Sequence, residues 1–362
     1  MPKQLSVIIT GHGEFPQSIF TIQSIIESID DKISYELIYV DNKSIREHPD
    51  KVNVRGVLND IFKTSKDDTE VLNRCEAFYA GMRAKGDYTG EILSTNKLGT
   101  IKYIQFDDVL SHWEAKNVAM KHAEGDVLFF TDAHMAVPRT MLLDMYNAYI
   151  NKYDELNGSL HLPIRGFLGE NQSIYKIRYN KPNGELHYVY TNQRDRKGIF
   201  KVPAMIGCSL MVSKKIFEDT GCYPKGLKIW GGGEHAYQFT QAVLGYNCNV
   251  YGDGYIYHWA GRSVERGYTY NMRDYLNNRA IALYIVAGEE WLGNWCNAHP
   301  HDFDDSAVQL LINLYTPERE ALKAKQVISI EDWIEKQDQT LVEYKINTKE
   351  ENDKWKLEHP KK

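Results

Sequence analysis

The sequence lacks several features that would place it in a specialised class of protein. Its five cysteines form no CxxC pair, which argues against a disulfide framework or a zinc cluster and favours a reducing compartment. No window approaches 18 consecutive apolar residues, so we expect no membrane-spanning helix. The net charge of −6 provides no general attraction to nucleic acid or to an anionic membrane. These absences leave an ordinary globular protein, which we expect to be cytoplasmic.

Two more absences concern the first fourteen residues. They contain only a six-residue apolar stretch before polar residues begin, which predicts a first β-strand and not a signal peptide. The glycines after this stretch do not follow the pattern GxGxxG, so the dinucleotide-binding fingerprint is missing. We therefore expect an α/β protein that begins with a strand but is not a dinucleotide-binding enzyme of that type.

The first recognisable feature of the sequence is a β–α–β unit. Leu5 to Thr10 and Tyr35 to Val40 are apolar runs typical of strands, and between them the isoleucines of residues 16–29 recur on one helical face. Such a unit predicts two parallel strands joined by a right-handed crossover. The next predicted strand is Ile101 to Phe106, and a helix predicted over 115–123 leads into the following strand.

That following strand opens the central stretch of the sequence, Asp126 to Pro138. Its apolar run Val127 to Phe130 predicts a strand buried on both faces, as in the middle of a parallel sheet. Asp132 and His134 come next, two residues apart, so they share one face in extended geometry. Ligand sites in open α/β sheets lie beyond the carboxyl ends of the strands, and a carboxylate with an imidazole suits a divalent metal such as Mn²⁺. The alternative is an aspartate that caps a turn beside a surface histidine.

Two further motifs follow in the chain and, with the first, they resemble a known family. The sequence Trp230-Gly-Gly-Gly-Glu-His235 comes about a hundred residues after Asp132-Ala-His134, and His258 ends a short predicted strand with Arg262 four residues on. This order and spacing resemble the GT-A glycosyltransferases, and most of all the polypeptide N-acetylgalactosaminyltransferase group against a family-2 background. The resemblance covers roughly residues 4–270.

The resemblance implies an α/β protein with the GT-A fold, a Rossmann-like and mostly parallel central sheet flanked by helices. We expect a catalytic domain over residues 1–273 and a helical C-terminal extension over 274–362. Residues 43–100 are long for a connection between strands, so they predict either an insertion with its own helices or a mobile lid. Residues 159–202 alternate in polarity over short segments and predict antiparallel strands on the acceptor side.

The resemblance also implies a metal site and a donor site. Asp132, His134 and His258 would hold Mn²⁺, or Mg²⁺ in its place, against the diphosphate of a nucleotide sugar, for which we expect a UDP-sugar. The residues assigned to donor binding are Thr10, Asp41, Lys116, Asn117, Asp132, Gly207 and Gly232. Thr10 and Asp41 would contact the base and ribose, with Lys116 or Asn117 assisting. Glycines let the backbone approach a sugar without a side-chain clash. From the residues alone, Asp41 is equally well a helix cap or an Asx turn.

Catalytic roles are implied for Glu234, Trp230, His235 and Arg262. Trp230 and Glu234 would line the sugar and acceptor side, and Arg262 would face the diphosphate. Inverting relatives carry an aspartate after Gly-Gly-Glu as the general base, whereas the retaining group has an asparagine there and needs no strong base. His235 occupies this position, so we favour retention. The alternative is that His235 is itself the general base, which its ordinary pKa allows.

The acceptor is left open by the sequence. The look-alike enzymes are Golgi proteins with a membrane anchor, disulfides and a lectin domain, so we expect a soluble bacterial or phage version. Its acceptor would be a glycan or, in a phage setting, hydroxymethylated cytosine in DNA, with residues 43–100 and the arginines of 262–273 forming a local groove. A non-catalytic nucleotide-sugar or nucleic-acid binding module is the alternative function, and a nucleotidyltransferase is a weaker third. Nothing in the sequence indicates an oligomeric state.

Overall fold

A large mixed sheet with helices on both faces forms the centre of the molecule. The computed structural model describes residues 4–12, 14, 17–29, 32–42, 88–94, 99–106, 110–166, 171–172, 174–180, 185–191, 196–259 and 271–343. The strands are β1 (Leu5–Gly11), β2 (Tyr35–Asn42), β3 (Tyr88–Ser94), β4 (Gly99–Phe106), β5 (Val127–Asp132), β6 (Met135–Ala136), β7 (Gly158–His161), β8 (Ile164–Gly166), β9 (Asn171–Gln172), β10 (Ile174–Asn180), β11 (Glu185–Thr191), β12 (Ile199–Val202), β13 (Ser209–Ser213), β14 (Asn247–Tyr251) and β15 (Ile256–His258).

The helices follow the same chain order. They are α1 (Gln17–Ile29), α2 (His112–Lys121), α3 (Met141–Asn151), α4 (Tyr153–Leu156), α5 (Lys214–Asp219), α6 (Gly233–Val243), α7 (Met272–Ala287), α8 (Glu289–Ala298), α9 (Asp305–Lys323) and α10 (Ile330–Glu343). In the part of the chain that is described, none of them is long and apolar enough to cross a membrane.

The central sheet has the strand order β12-β14-β7-β13-β5-β1-β2-β4-β3. Its middle strands β5, β1, β2 and β4 are parallel to one another, which confirms the parallel sheet predicted around the first β–α–β unit. Antiparallel strands flank this centre, with β13 against β5 and β3 against β4. The carboxyl ends of β1, β2 and β5 therefore meet at one edge, where the side chains of Thr10, Asp132 and their neighbours emerge.

The two faces of the sheet bury separate hydrophobic cores. On one face α1 and α3 pack against the sheet, and Ile22, Ile25 and Ile29 of α1 are at most 1% exposed. Their spacing of three and four residues puts them on one side of the helix, as predicted. On the other face α2, α5 and α6 pack together with the C-terminal helices around Trp113. Burying one such large side chain stabilises the fold by about 1.5–3 kcal/mol, so both cores hold the sheet edge in place.

Several element boundaries differ from the predictions. The helix predicted over 115–123 runs from His112 to Lys121, because Ser111 caps it by accepting a hydrogen bond from the Glu114 amide at 3.1 Å. An additional strand, β3, pairs with β4 inside the predicted insertion 43–100, of which residues 43–87 lie outside the described residues.

The region 159–202 contains antiparallel strands as predicted, but not only those. The hairpin of β10 and β11 is antiparallel, whereas β7 pairs in parallel with β14 in the main sheet. A second, four-stranded sheet has the order β6-β15-β8-β9. This small sheet is important for the site, because it draws the end of β15 towards the end of β5.

The C-terminal helices pack directly on the first domain. The predicted boundary between 273 and 274 falls inside α7, and α7 packs along α6 on one side and α8 and α9 on the other. Residues of α7 that face the sheet, among them Leu276 and Ala280, belong to the same core as Trp113. The described part of the predicted extension is thus continuous with the hydrophobic core of the sheet domain.

A buried ion pair at the opposite end of the sheet provides a first test of the packing. Glu36 is fully buried, and its Oε2 lies 2.7 Å from Nζ of Lys102 on the neighbouring strand. Burial alone would lower the pKa of Lys102, but hydrogen bonds to Glu124 and Glu36 raise it, so the pair stays ionised near neutral pH. Lys102→Met leaves the Glu36 carboxylate buried without its cation. We expect a loss of about 3 kcal/mol in the free energy of unfolding, measured by chemical denaturation.

The matched control is Lys152→Met, which removes an exposed lysine whose Nζ lies 3.5 Å from Glu155. Exposed pairs contribute at most about 0.5–1 kcal/mol, so this variant should unfold almost like the wild type. Equal losses in the two variants would show that the Lys102–Glu36 pair is not desolvated as the structure describes.

Candidate functional site

Two short strands bring the three predicted metal ligands together. Asp132 ends β5, and His134 lies in the turn between β5 and β6. Strand β15 pairs antiparallel with β6, so that His258 lies opposite Met135. The Trp259 amide donates a hydrogen bond to the His134 carbonyl at 2.9 Å, which fixes the end of β15 beside the turn. Residues 124 positions apart in the chain are thereby placed side by side.

The ligand atoms of these three residues converge on one point. The Nε2 atoms of His134 and His258 are 3.2 Å apart, and each lies 3.8 Å from Oδ2 of Asp132. Ligands bound to one ion at about 2.0–2.2 Å lie roughly 3–4 Å from each other. The three side chains therefore fit a divalent ion, with two nitrogen donors and one oxygen donor. The assignment of these three residues as metal ligands stays a prediction.

A fourth residue, Glu14, determines how His134 presents its ring. Its Oε1 lies 2.7 Å from Nδ1 of His134, and both side chains are buried. A carboxylate on Nδ1 keeps the proton there, so Nε2 is left with its lone pair directed at Asp132 and His258. This arrangement is the usual support of a metal-binding histidine. Glu14 was not among the predicted site residues, although its place after the first parallel strand could have indicated it.

The role of Glu14 can be tested on metal affinity alone. Glu14→Gln keeps the shape of the side chain but can present an amide N–H to Nδ1, which favours the wrong tautomer of His134. We expect the affinity for Mn²⁺ to fall by about 10–100-fold, measured by isothermal titration calorimetry. Glu27→Gln on the same side of the sheet removes an exposed carboxylate and serves as the matched control. Unchanged Mn²⁺ affinity in Glu14→Gln would contradict the orienting role.

Asp132 is surrounded by positive or potentially positive groups. Nζ of Lys116 lies 3.4 Å and Nε2 of His112 lies 3.5 Å from its Oδ1. Burial by itself would raise the pKa of Asp132, but the Lys116 charge, the hydrogen bond to His258 and the His112 charge hold it well below the usual range. The carboxylate is therefore ionised and ready to bind a cation. Lys116 is only 1% exposed, so it acts on Asp132 from behind and not from the solvent side.

A pocket of about 560 Å³ opens beside these ligands. Thr10, Asn42 and His112 form part of its wall, together with Asp132 and His134, and Trp230 lies on the opposite side. Nδ1 of His112 is 3.2 Å from the Thr10 hydroxyl, which holds the imidazole at the carboxyl end of β1.

The glycine-rich loop 228–233 is held rigidly against this pocket. The fully buried Asn278 of α7 accepts a hydrogen bond from the Lys228 amide at 2.7 Å and donates to the carbonyls of Lys228, Trp230 and Gly231 at 2.9–3.0 Å. Gly232 has φ 77° and a Cβ there would lie 2.6 Å from Asn278, so only glycine fits. Gly232 was predicted to admit the donor; in the structure the space beside it is filled by Asn278.

Trp230 lines the pocket, and Glu234 lies in the first turn of the helix that follows the glycine-rich loop. The Trp230 ring stacks on Tyr275 of α7, with centroids 5.8 Å apart and planes at 27°. Oε1 of Glu234 accepts a hydrogen bond from the Gly207 amide at 3.0 Å. Burial raises the pKa of Glu234, against the lowering effect of this hydrogen bond and of Lys116. The loop before β13 and the start of α6 are thus joined through Gly207.

His235, in contrast, points away from the ligand pocket. Nη1 of Arg279 lies 2.7 Å from its Nε2, and both side chains are buried between α6 and α7. A guanidinium can only donate, so Nε2 accepts and the imidazole is neutral. Its Nε2 is therefore not available as the general base that the sequence left as an alternative.

Comparisons with known proteins identify the fold. Residues 84–221 match the family model described as Glycosyl transferase family 2. A crystal structure of GalNAc-T7 with UDP, GalNAc and Mn²⁺ superposes with a TM-score of 0.61 at 15% identity, covering 92% of this chain and 56% of that one. The chain has the GT-A fold, and residues 84–221 are similar to family-2 glycosyl transferases.

Curated relatives agree with this conclusion at low identity. Mouse polypeptide N-acetylgalactosaminyltransferase 12 is 21% identical over 339 residues, which are 90% of this chain and 50% of the relative. A probable N-acetylgalactosaminyltransferase 7 from Caenorhabditis elegans is 26% identical over 141 residues, 34% of this chain and 23% of the relative. The chain thus spans half or less of the length of these relatives, and what they act on is a property of those proteins.

Only some of the predicted donor-binding residues of this GT-A domain line the pocket. Thr10 lines the pocket and Lys116 supports Asp132, whereas the amide of Asn117 is used to hold the backbone of Tyr223 at 2.8 and 3.1 Å. Asp41 is fully buried and its Oδ2 accepts a hydrogen bond from the Tyr103 hydroxyl at 2.5 Å. The neighbouring Asn42 lines the pocket in its place. Arg262 lies outside the described residues.

The GT-A domain also contains site residues that the motifs did not indicate. His112 and Asn42 lie on the pocket wall, Glu14 orients His134, and Asn278 holds the glycine-rich loop. His112 is the first residue of α2, the helix that carries Lys116, which is a detectable signal. Asn278 carries none, because its role depends on how α7 packs against a loop about fifty residues earlier.

Proposed function

We propose that this protein is a metal-dependent glycosyltransferase that moves a sugar from a nucleotide donor, a UDP-sugar, to an acceptor hydroxyl. The observation that carries the proposal is the convergence of Asp132, His134 and His258 within 3.2–3.8 Å of one another, beside a pocket that Asp132 and His134 help to line. Three unrelated segments supply these ligand atoms, and Glu14 orients one of them. If these three side chains had only a structural role, no pocket would be needed beside them.

The residues around the pocket account for activation of the leaving group. A nucleoside diphosphate departs with negative charge that must be stabilised in the transition state. A divalent ion held by Asp132, His134 and His258 supplies this stabilisation, and Mn²⁺ is the ion we propose. His112 lies on the pocket wall between Thr10 and Asp132, and Arg262 remains the proposed second cation beside the diphosphate. Thr10 and Asn42 stand where the base and ribose would bind.

The other side of the pocket suits the transferred sugar. The half-buried Trp230 ring, held against Tyr275, offers a flat apolar surface on which a sugar face can pack. Glu234 is fixed by the Gly207 amide and can accept hydrogen bonds from sugar or acceptor hydroxyls. Because these groups are held by the protein before the donor binds, they orient the sugar without a large loss of conformational freedom.

We propose that the transfer retains the configuration of the sugar. Inversion would need a general base at the position after Glu234, where this chain has His235. The pairing of His235 with Arg279 at 2.7 Å supports retention, because the Nε2 lone pair accepts a hydrogen bond from the guanidinium and is not available to an acceptor hydroxyl. In a retaining transfer the departing diphosphate takes the proton of the acceptor hydroxyl.

For the acceptor we propose a glycan hydroxyl. The alternative acceptor, hydroxymethylated cytosine in DNA, was predicted from residues 43–100 and from arginines 262–273, of which 43–87 and 260–270 lie outside the described residues. The net charge of −6 favours the glycan. DNA binding would weaken steeply with salt, so binding of modified duplex DNA that is insensitive to salt would exclude a phosphate-binding groove.

The proposed function is tested with a panel of UDP-sugars and other nucleotide sugars in the presence of Mn²⁺. We expect slow hydrolysis of one donor without acceptor, lost when EDTA removes the metal. Hydrolysis that persists in EDTA would overturn the metal-dependent mechanism. Calorimetric binding of UDP with no turnover of any donor would instead favour the non-catalytic binding module.

A further inference from the structure

One buried thiol lies close to the proposed metal ligands. Cys208 is 3% exposed and reduced, and it directly precedes β13. In the antiparallel pair of β13 and β5, Ser209 is the partner of Thr131, so the next position along the pair sets Cys208 against Asp132. The Cys208 Sγ, a carboxylate oxygen of Asp132 and a ring nitrogen of His258 all lie within 4.8 Å of one another. The register between β13 and β5 places Cys208 beside Asp132, so regular strand pairing brings these ligand atoms together.

Together with His134, this cluster has the composition of a four-ligand transition-metal site. It would comprise two imidazole nitrogens, one carboxylate oxygen and one sulfur. Zinc in such sites has bonds of about 2.0–2.3 Å, and neighbouring ligand atoms then lie roughly 3–4 Å apart. The two histidines and Asp132 already meet this condition at 3.2–3.8 Å, and Sγ lies within 4.8 Å of the ligand atoms of Asp132 and His258.

We propose that Cys208 completes a four-ligand site with Asp132, His134 and His258 that captures a thiophilic divalent ion such as Zn²⁺ or Co²⁺. The inference rests on the metal site of the proposed function and adds a ligand to it. On binding, the Cys208 S–H proton passes to solvent and the sulfur forms a bond to the ion. No oxidation or reduction takes place.

The identity of the bound ion would therefore determine whether the site can bind the donor. An ion that prefers oxygen, such as Mg²⁺ or Mn²⁺, has little affinity for sulfur and leaves coordination positions open for a diphosphate. A thiophilic ion that also binds Cys208 has four protein ligands, which is the closed arrangement of a structural zinc site. Such an ion should therefore compete with Mn²⁺ and exclude the donor.

The test is optical titration of the full-length, metal-free protein with Co²⁺ alone. A cobalt–thiolate bond produces an intense charge-transfer band in the near ultraviolet, which nitrogen and oxygen ligands do not give. We expect this band in the wild type, at one equivalent of Co²⁺, and its displacement by Zn²⁺. We expect it to be lost in Cys208→Ser and Cys208→Ala while Mn²⁺ still binds in calorimetry.

Cys248→Ser is the matched control. Cys248 is also buried, at 6% exposure, but its thiol hydrogen-bonds Ser159 in the region of β7 and β14. This variant should keep the cobalt band. Persistence of the band in the Cys208 variants would show that another thiol binds the metal and would overturn the proposal.

The outcomes separate this proposal from the proposed function. If wild-type protein binds Co²⁺ and Mn²⁺ but shows no charge-transfer band, Cys208 is only a packing residue and the glycosyltransferase proposal stands. This result is obtained with the wild-type protein alone, so it does not depend on whether Cys208→Ser folds. If neither ion binds, the metal site itself is absent and both proposals fall.

Discussion

Asp132→Asn is expected to reduce donor turnover by about a thousandfold. Lewis-acid stabilisation of a leaving group contributes several kcal/mol to the transition state, and each 1.4 kcal/mol is a factor of ten in rate, so about 4 kcal/mol is at stake. Asparagine keeps the volume of the side chain but removes the charge that Lys116 and His112 hold ionised. The measurement is donor hydrolysis with Mn²⁺, together with Mn²⁺ affinity by calorimetry.

A control variant at the other end of β5 shows whether a loss of turnover comes from the missing metal ligand or from misfolding. Asp126 is exposed immediately before β5, and Asp126→Asn removes one carboxylate from the same segment. This variant should keep both turnover and Mn²⁺ affinity. Circular dichroism must show that Asp132→Asn is folded, since the change leaves the buried Lys116 without its carboxylate. Wild-type turnover in folded Asp132→Asn would remove the basis of the metal-dependent mechanism.

Asn278→Ala is expected to damage both stability and turnover, although Asn278 is far from the motifs in sequence. The substitution leaves buried carbonyls of the loop 228–231 and the Lys228 amide without their partner. Each buried polar group left unpaired costs about 1–3 kcal/mol, so we expect a loss of about 3–5 kcal/mol in the free energy of unfolding. The loop that carries Trp230 would then lose its fixed position, and donor turnover should fall with it.

Two measurements distinguish this local effect from general unfolding. Well below the melting temperature, Mn²⁺ affinity of Asn278→Ala should remain within about twofold of the wild type, because its ligands lie on β5 and β15 and not on the loop. Asn277→Ala, on the adjacent position of the same helix, is the matched control and should change neither quantity. Loss of turnover in Asn277→Ala as well would point to a general disturbance of α7.

The positions of two proposed metal ligands could be predicted from the sequence because they follow a strand end. The run before Asp132 is apolar enough to predict a buried strand, and the turn that follows it places His134 beside Asp132. His258 could be included only through the resemblance, since the small sheet that pairs β15 with β6 leaves almost no pattern in a three-residue strand. Short strands are stabilised by their partners and not by their own composition.

The donor-side residues were harder to predict for a related physical reason. Successive residues of a strand point to opposite faces, so a displacement of one position exchanges a pocket residue for a buried one. Asp41 was chosen as the acidic end of β2, but it is Asn42 that lines the pocket and Asp41 that pairs with Tyr103. Asn278 and Glu14 could not be found in this way, because their partners belong to other elements and tertiary packing alone brings them together.

The hydrogen bond between His235 and Arg279 also has an evolutionary consequence. In inverting relatives an aspartate occupies the position of His235. In this chain an aspartate there would meet a buried guanidinium and form an ion pair between two helices, without reaching an acceptor hydroxyl. A change of stereochemical course would therefore require Arg279 to be replaced as well. Under the proposed retaining mechanism, two substitutions, one of them well outside the motif, would therefore separate this chain from an inverting enzyme.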